Sequence, residues 1–457
     1  MAFKVHAAPP LAGPAGETFS EWLQAYNDAD PAALQAFMTS RSRVPSPAEF
    51  WAGINRTAGP LSVDKAEAVG RDTVTAVVED HWGRFGEISL KVAPEPPFQI
   101  IALDIKEIFP PEDKLPTRMD WSQLRSALRA RLADDVANDW FSGAVVVSKA
   151  GRPLFKAAYG SADRERKLPN TLETRFRVGS INKMITAVAV LQLNQAGKIG
   201  LDDAVGRYLP DYPSRLFAEK VTVRQLLSHM GGAGDIFGPE FEKHRLELRD
   251  PKDYVALYGR RDPEFEPGSR HSYANYGFIV LGRIVETVSG RSYDDYVQGR
   301  IFGPAGMTAT GALPETIEVP GRSIGYMDSP GGLVRSDASP FLLYRGTPAG
   351  GGYSTVGDLV RFADTLTSGQ LLDPEHLRML TTGVVEGPLP GPKYAMGCIE
   401  FFRTGVRCFY HAGSAPGMCG SLMIFPDAGY VVAVLSNRDP PQGWSLANFI
   451  SDRLPAR

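Results

Sequence analysis

Ser180 and Lys183 open a long apolar run, Ser180-Ile181-Asn182-Lys183-Met184-Ile185-Thr186-Ala187-Val188-Ala189-Val190-Leu191. Residues three apart on a helix share a face. A serine hydroxyl is a weak nucleophile and needs an adjacent base. A lysine can be that base when apolar surroundings disfavour its charged form. The start of a helix adds free N–H groups and a positive dipole end, which suit a developing oxyanion. The ordinary meaning of such a pair is a capping serine followed by a solvated lysine. Here the helix is apolar nearly all round until Gln192, which leaves a solvated lysine little place. The stretch from Arg177 to Gly197 is expected to form one buried helix, with Gly197 just past its end.

Two further motifs follow in order, Tyr273-Ala274-Asn275 and His411-Ala412-Gly413. Together with Ser180 and Lys183, at these wide spacings, they resemble the serine β-lactamase and penicillin-binding-protein superfamily. The nearest branch is class C-like, including family VIII carboxylesterases and D-aminopeptidases. Leu226-Leu227-Ser228-His229-Met230-Gly231-Gly232, Pro267 to Gly277, Ile301 to Met307 and His411 to Gly417 are similar to family segments. The likeness spans roughly residues 120–457.

The resemblance implies roles. Ser180 would be acylated, and Lys183 with Tyr273 would take its proton. Tyr273 would pass a proton to the leaving group, its phenol pKa lowered by a neighbouring Lys183 cation. Asn275 would orient Lys183 and bond the substrate's acyl part. The N–H groups of Ser180 and Ser414 would form the oxyanion hole, beside Gly413. Relatives that bind an acidic group carry a lysine at the third motif. His411 is mostly neutral at pH 7, so uncharged esters or amides are expected, short-chain carboxylic esters first. The alternative is a β-lactamase or a D-amino-acid peptidase or amidase on the same Ser-Lys-Tyr site. No cofactor is implied.

The elements that must position these groups fall into two blocks. Residues 1–116 are expected as a small, non-catalytic α+β domain. Residues 1–16 read as irregular, Phe19–Met38 as a helix interrupted near Pro31, and Leu61–Ala68, Thr73–Val78, Gly86–Val92 and Gln99–Ile108 as antiparallel strands. Helices followed by a small curved sheet resemble the nuclear transport factor 2 family. Phe109–Pro116 reads as a linker.

Residues 117–457 are expected as the hydrolase domain, a central antiparallel sheet flanked by helices plus an all-helical subdomain. The readings are a helix Trp121–Val136, a hairpin Gly143–Ser148/Leu154–Tyr159, helices Val221–His229, Tyr276–Ser289, Thr355–Leu366 and Trp444–Arg453, and a hairpin Leu422–Phe425/Tyr430–Leu435. Residues 240–266, dense in mixed charge, read as a solvated face. Residues 301–350, rich in Gly and Pro, are expected to cover a cleft.

The 457 residues carry a net charge of −3 and are 43% hydrophobic and 22% charged. That is a globular composition with more than one core. No basic stripe points to nucleic acid, and no apolar run is long enough to span a membrane. The N-terminus lacks a signal-peptide core, so a cytoplasmic location is expected, or a periplasmic one if a leader was removed. Three cysteines are too few for a disulfide framework. The expected partner is a small ester or amide, with homo-oligomerisation through the first domain.

Other candidate groups read as background. Ser62 and Lys65 lie in a strand, where residues three apart face opposite sides. Ser323 in Gly321-Arg322-Ser323-Ile324-Gly325 lacks the strand and helix of a nucleophile elbow. His229 ends a helix and is expected to meet its last carbonyls. Cys419 reads as a small buried hydrophobe.

Overall fold

The structure, a computed structural model, describes residues 11–28, 30–44, 48–329, 332–387 and 391–455. The chain divides into two compact units, Met1–Pro116 and Thr117–Arg457.

The first unit begins with α1 (Pro14–Asn27), α2 (Pro31–Arg41) and α3 (Ala48–Ala58). Pro14 opens α1, so helix begins inside the stretch expected to be irregular; residues 1–10 lie outside the described ones. The break before Pro31 is real: Asp30 caps α2 through its carboxylate on the Ala32 N–H at 2.9 Å. Four strands follow, β1 (Ser62–Val69), β2 (Thr73–Glu79), β3 (Phe85–Val92) and β4 (Ile100–Ile108), in one antiparallel meander. Alternate residues Val74, Ala76, Val78, Ile88 and Leu90 meet Phe19, Trp22 and Tyr26 of α1 in a single core. Lys65 pairs with Glu67 at 2.6 Å on the exposed face of β1, as a strand lysine should.

The second unit is built on an eight-stranded antiparallel sheet. Its strands are β5 (Gly143–Lys149), β6 (Arg152–Tyr159), β7 (Val385–Glu386), β8 (Lys393–Tyr394), β9 (Ile399–Arg403), β10 (Val406–Ala415), β11 (Met418–Phe425) and β12 (Tyr430–Ser436). They run in the order β7-β8-β9-β10-β11-β12-β5-β6. Both faces are covered, which is why β11 and β12 read as continuous apolar runs. Val145, Val147, Val432 and Val434 point to one face, against α4 (Trp121–Ala137) and α9 (Gln442–Ser451). Ala144, Val146, Ala433 and Leu435 point to the other, into the core that holds α5 (Asn182–Gln195), α7 (Asn275–Ser289) and α8 (Val356–Thr367). Short helices at Arg215–Lys220, α6 (Val223–Leu227), Pro239–His244 and Pro251–Tyr258 join α7 in the helical part. The last two overlap the charged stretch 240–266.

Three sequence expectations need correction here. Arg177 does not begin the buried helix: Phe176–Arg177 pairs with Tyr353–Ser354 as a short strand, and Gly179–Ile181 forms a 3-10 turn before α5. Gly179 sits at φ +53°, which stops a helix from running through it. The helix expected over Val221–His229 is only Val223–Leu227, begun by a capping box between Thr222 and Gln225. Strand β10, which carries the third motif, was not anticipated as a strand. Among the described residues, no helix is long and apolar enough to cross a membrane.

Candidate active site

The sheet delivers the third motif through a gap in its own pairing. Strand β9 pairs with β10 only as far as Ile399↔Tyr410. Beyond that point one edge of β10, from His411 to Ala415, has no strand beside it among the described residues. The 3-10 turn holding Ser180 fills the gap. The approach is close enough to require glycine on both sides. A Cβ on Gly413 would collide with the Val178 carbonyl and stand 3.0 Å from the Ser180 nitrogen, and one on Gly179 would stand 3.2 Å from the Ser414 nitrogen. The backbone nitrogens of Ser180 and Ser414 therefore flank one narrow space.

Lys183 projects from the first turn of α5 into the same space and has no exposed surface. Its Nζ lies 3.1 Å from Ser180 Oγ, 2.8 Å from Asn275 Oδ1 and 2.5 Å from the Ala349 carbonyl. Burial lowers its pKa to about 7, against an upward pull from the Asp235 carboxylate. Ala349 comes from the Gly-rich turn before β-paired Tyr353, where Asn182 Nδ2 also donates to Gly351 O at 2.9 Å. The Asn275 amide faces both ways: Oδ1 accepts from Lys183, and Nδ2 donates to Asp235 Oδ1 at 2.9 Å. Asn275 thus links Lys183 to Asp235, with its N–H side turned to the carboxylate.

Tyr273 stands near Ser180, and Lys183 Nζ lies 4.7 Å from the centre of its ring. The residue is 41% exposed to the cleft. Burial pushes the pKa of its phenol up, with the Ser180 side chain opposing. This corrects the expectation that a Lys183 cation would lower the phenol. Desolvation works on both groups, driving the amine toward neutrality and keeping the phenol protonated.

His411 is buried, and burial with the nearby Lys183 charge lowers its pKa to about 3. His229 does not meet the last carbonyls of α6. Its Nε2 lies 2.8 Å from Tyr394 Oη, and its Nδ1 accepts from the Ala274 N–H at 3.1 Å. Ser323 is buried on a loop with its Oγ 3.5 Å from the Arg175 carbonyl, and Cys419 is buried in β11.

Ser180, Tyr273, Asn275, His411 and Ser414 line a cleft of about 450 Å³. Phe237, Phe341, Leu342, Leu343 and Met418 give it apolar walls, with Phe237 and Phe341 edge to face at 5.6 Å. The loop residues 341–343 and 349–351 form part of it, as expected for the Gly- and Pro-rich stretch. Arg177 reaches the wall already paired with Glu315 at 2.9 Å and Asp337 at 3.5 Å. Asp235, also on the wall, pairs with no cationic side chain among the described residues. Sequence reading missed Asp235, Ala349 and Tyr394. Of these only Asp235 left a trace, as the acid closing Gly231-Gly232-Ala233-Gly234. No group of three or more His, Cys, Asp or Glu among the described residues is arranged to hold a metal ion.

Comparison with known proteins bears on the whole arrangement. Penicillin-binding protein 4* of Bacillus subtilis is 31% identical over 173 residues, covering 37% of this chain; the match spans only 38% of that protein. Esterase EstB of Burkholderia gladioli is 28% identical over 57% of this chain and 74% of its own length. The crystal structure of a D-stereospecific amidohydrolase from Streptomyces sp. is 29% identical, with a TM-score of 0.60 over 72% of this chain and 98% of that one. The family model described as Beta-lactamase matches residues 128–451, and the chain belongs to that family, an enzyme of the β-lactamase and penicillin-binding hydrolase superfamily.

Proposed function

We propose that this protein is a serine hydrolase, an esterase of uncharged short-chain carboxylic esters working through an acyl-enzyme on Ser180. One observation carries the reading. A neutral lysine amine has two N–H donors and one lone pair. Two carbonyl-type oxygens, Asn275 Oδ1 and Ala349 O, accept from Lys183. The third contact is Ser180 Oγ. With two donors spent on carbonyls, the lone pair is left for the serine proton.

In the proposed sequence, Lys183 takes the Ser180 proton as Oγ bonds to the substrate carbonyl carbon. The carbonyl electrons move to oxygen, which receives the Ser180 and Ser414 N–H groups. Collapse of the tetrahedral adduct breaks the C–O bond to the alcohol. The leaving oxygen takes a proton from Tyr273, which is replenished from Lys183. Water then attacks the acyl group with Lys183 and Tyr273 in the same roles, regenerating Ser180 and releasing the acid.

Substrate class follows from charge. His411 is uncharged, Arg177 is already paired, and Asp235 puts a negative charge on the wall, so a substrate carboxylate finds no anchor. The apolar walls suit a short acyl chain. Asp235 also favours a second reading, hydrolysis of an amino-acid amide whose ammonium would meet that carboxylate. A panel of nitrophenyl acetate and butyrate, D-amino-acid amides and nitrocefin separates these readings. Highest kcat/KM on the esters is expected; a preference for the amides or for nitrocefin would replace the esterase reading. Residues 1–116 we take as a non-catalytic packing module, resembling the nuclear transport factor 2 fold, through which the chain associates with itself. Light scattering giving the mass of a single chain would rule that association out.

A further inference from the structure

Behind the catalytic groups lies a line of hydrogen bonds that the proposed mechanism does not use. His229 adopts φ +57°, a left-handed conformation that a non-glycine residue keeps only where its surroundings hold it. In that conformation it holds both neighbours of Tyr273. Its carbonyl accepts from the Ser272 N–H at 2.9 Å, and its Nδ1 accepts from the Ala274 N–H at 3.1 Å. Its ring packs 4.3 Å from the ring of Tyr273, centre to centre.

The donor pattern then fixes itself along the line. Because Nδ1 of His229 accepts from a backbone N–H, its proton sits on Nε2, which donates to Tyr394 Oη at 2.8 Å. Tyr394 has one proton to give, and the next partner is His411 Nε2 at 3.3 Å. His411 Nδ1 lies 2.6 Å from the Ala412 carbonyl, an acceptor only, so the His411 proton sits on Nδ1. Its Nε2 is therefore a lone pair, matched to the Tyr394 hydroxyl. His229 and His411 are 1% and 4% exposed, and Tyr394 is 4% exposed. Every ring nitrogen of the two histidines is satisfied inside the protein.

We propose that His229 and Tyr394 are positioning and specificity-determining residues of this site. Together they clamp the Tyr273 loop from behind and commit His411 Nε2 to Tyr394, so that the third motif presents a neutral surface and refuses a substrate carboxylate. A proton added to His411 Nε2 would face the Tyr394 hydroxyl donor to donor. Tyr394 could not turn back to His229, whose Nε2 also donates. The other titratable groups around the line work the same way. Lys183 opposes a charge on His411 whenever it is itself protonated, Tyr273 faces His411 with rings 6.4 Å apart, and His271 packs 5.4 Å from Tyr394. The Asp235 carboxylate is turned to Asn275. The specificity part of this inference rests on the hydrolase reading of the cleft; the tautomers do not.

The test uses the full-length enzyme and its Tyr394→Phe variant. Ring ¹⁵N spectra of the native protein should show His411 protonated at Nδ1 only, with no titration between about pH 5 and 8, where a free histidine titrates. Phenylalanine removes the donor and frees Nε2. Nε2 is then open to a substrate carboxylate, whose charge would offset the burial of an imidazolium, and the kcat/KM ratio of an ester with a terminal acyl carboxylate to its uncharged counterpart should rise about tenfold at pH 6, about 1.4 kcal/mol of discrimination. A merely structural defect would lower both esters together and leave the ratio unmoved. The proposal is overturned if native His411 carries its proton on Nε2 or titrates near 6.5, or if the variant keeps the native ratio. Should the variant not fold, the native spectra alone decide. A native enzyme that shows the tautomers but turns over neither ester would remove the hydrolase reading and leave the clamp standing.

Discussion

Lys183 Nζ and Ser180 Oγ stand 3.1 Å apart on consecutive turns at the head of a buried helix, with the lysine wholly shielded from water. An ammonium in that position would have lost its hydration for three neutral partners. The same burial that is costly for the charged form makes the neutral form a base at ordinary pH.

The first consequence is in the pH profile. With the Lys183 pKa lowered to about 7, kcat/KM for an uncharged ester should rise with pH and level off above a single limb near that value. Lys183→Met should remove the limb and lower kcat by about 10²–10⁴, the range general-base catalysis contributes. A limb near the usual lysine value would mean that the lysine stays charged.

The second is in stability. Below about pH 7 the native and unfolded chains both carry the proton on Lys183. Between there and the unfolded value of about 10.4 only the unfolded chain does. The unfolded state then binds more protons, so the lysine's contribution to stability rises with pH. Urea unfolding of the native protein and Lys183→Met from pH 6 to 9 should show their difference shifting toward the native protein, by up to about 1.4 kcal/mol per unit above pH 7. A difference flat in pH would contradict the lowered pKa.

Asp235 should tune that base from a distance. Its negative charge favours the lysine's protonated form. Asp235→Asn should therefore move the limb of kcat/KM to lower pH, and should weaken any turnover of ammonium-bearing substrates more than that of neutral ones. A limb moved to higher pH would show that the hydrogen bond through Asn275, and not the charge, sets the effect.

Gly413 is predicted to be intolerant of even one methyl group. A Cβ there meets the Val178 carbonyl and the Ser180 nitrogen. Gly413→Ala should push β10 from the Ser180 turn, costing about 1–3 kcal/mol in stability. It should also lower kcat by about 10²–10³, as loss of an oxyanion donor does. Unchanged kcat would mean that the Ser180 and Ser414 N–H groups do not act together.

The parts of this molecule that could be read from sequence are those whose signal is local. Ser180 and Lys183 stand out because they are polar on an otherwise apolar helix, and the hairpins β5–β6 and β11–β12 because apolar runs flank tight turns at Gly151 and Gly429. Strand β10 hid because His411 to Ser414 is too small and polar to look like a strand, and its extended form depends on β11 beside it. Helix α3 hid because Gly53 and the β-branched Ile54 and Thr57 weaken helical propensity; tertiary packing of Trp51 restores it. The Ala349 carbonyl is backbone and leaves no mark in residue type. Tyr394 lies in a two-residue strand, and only the fold brings it between His229 and His411. The raised pKa of Tyr273 escapes the sequence for a related reason: residue type shows its Lys183 neighbour but not its burial.

The most direct measurement is intact-mass spectrometry of the enzyme quenched during turnover of nitrophenyl butyrate, followed by peptide mapping. A single added acyl group on the peptide bearing Ser180, absent from Ser180→Ala along with turnover, is the result this account predicts. An acyl group carried elsewhere, or a Ser180→Ala enzyme that keeps most of its activity, would contradict it.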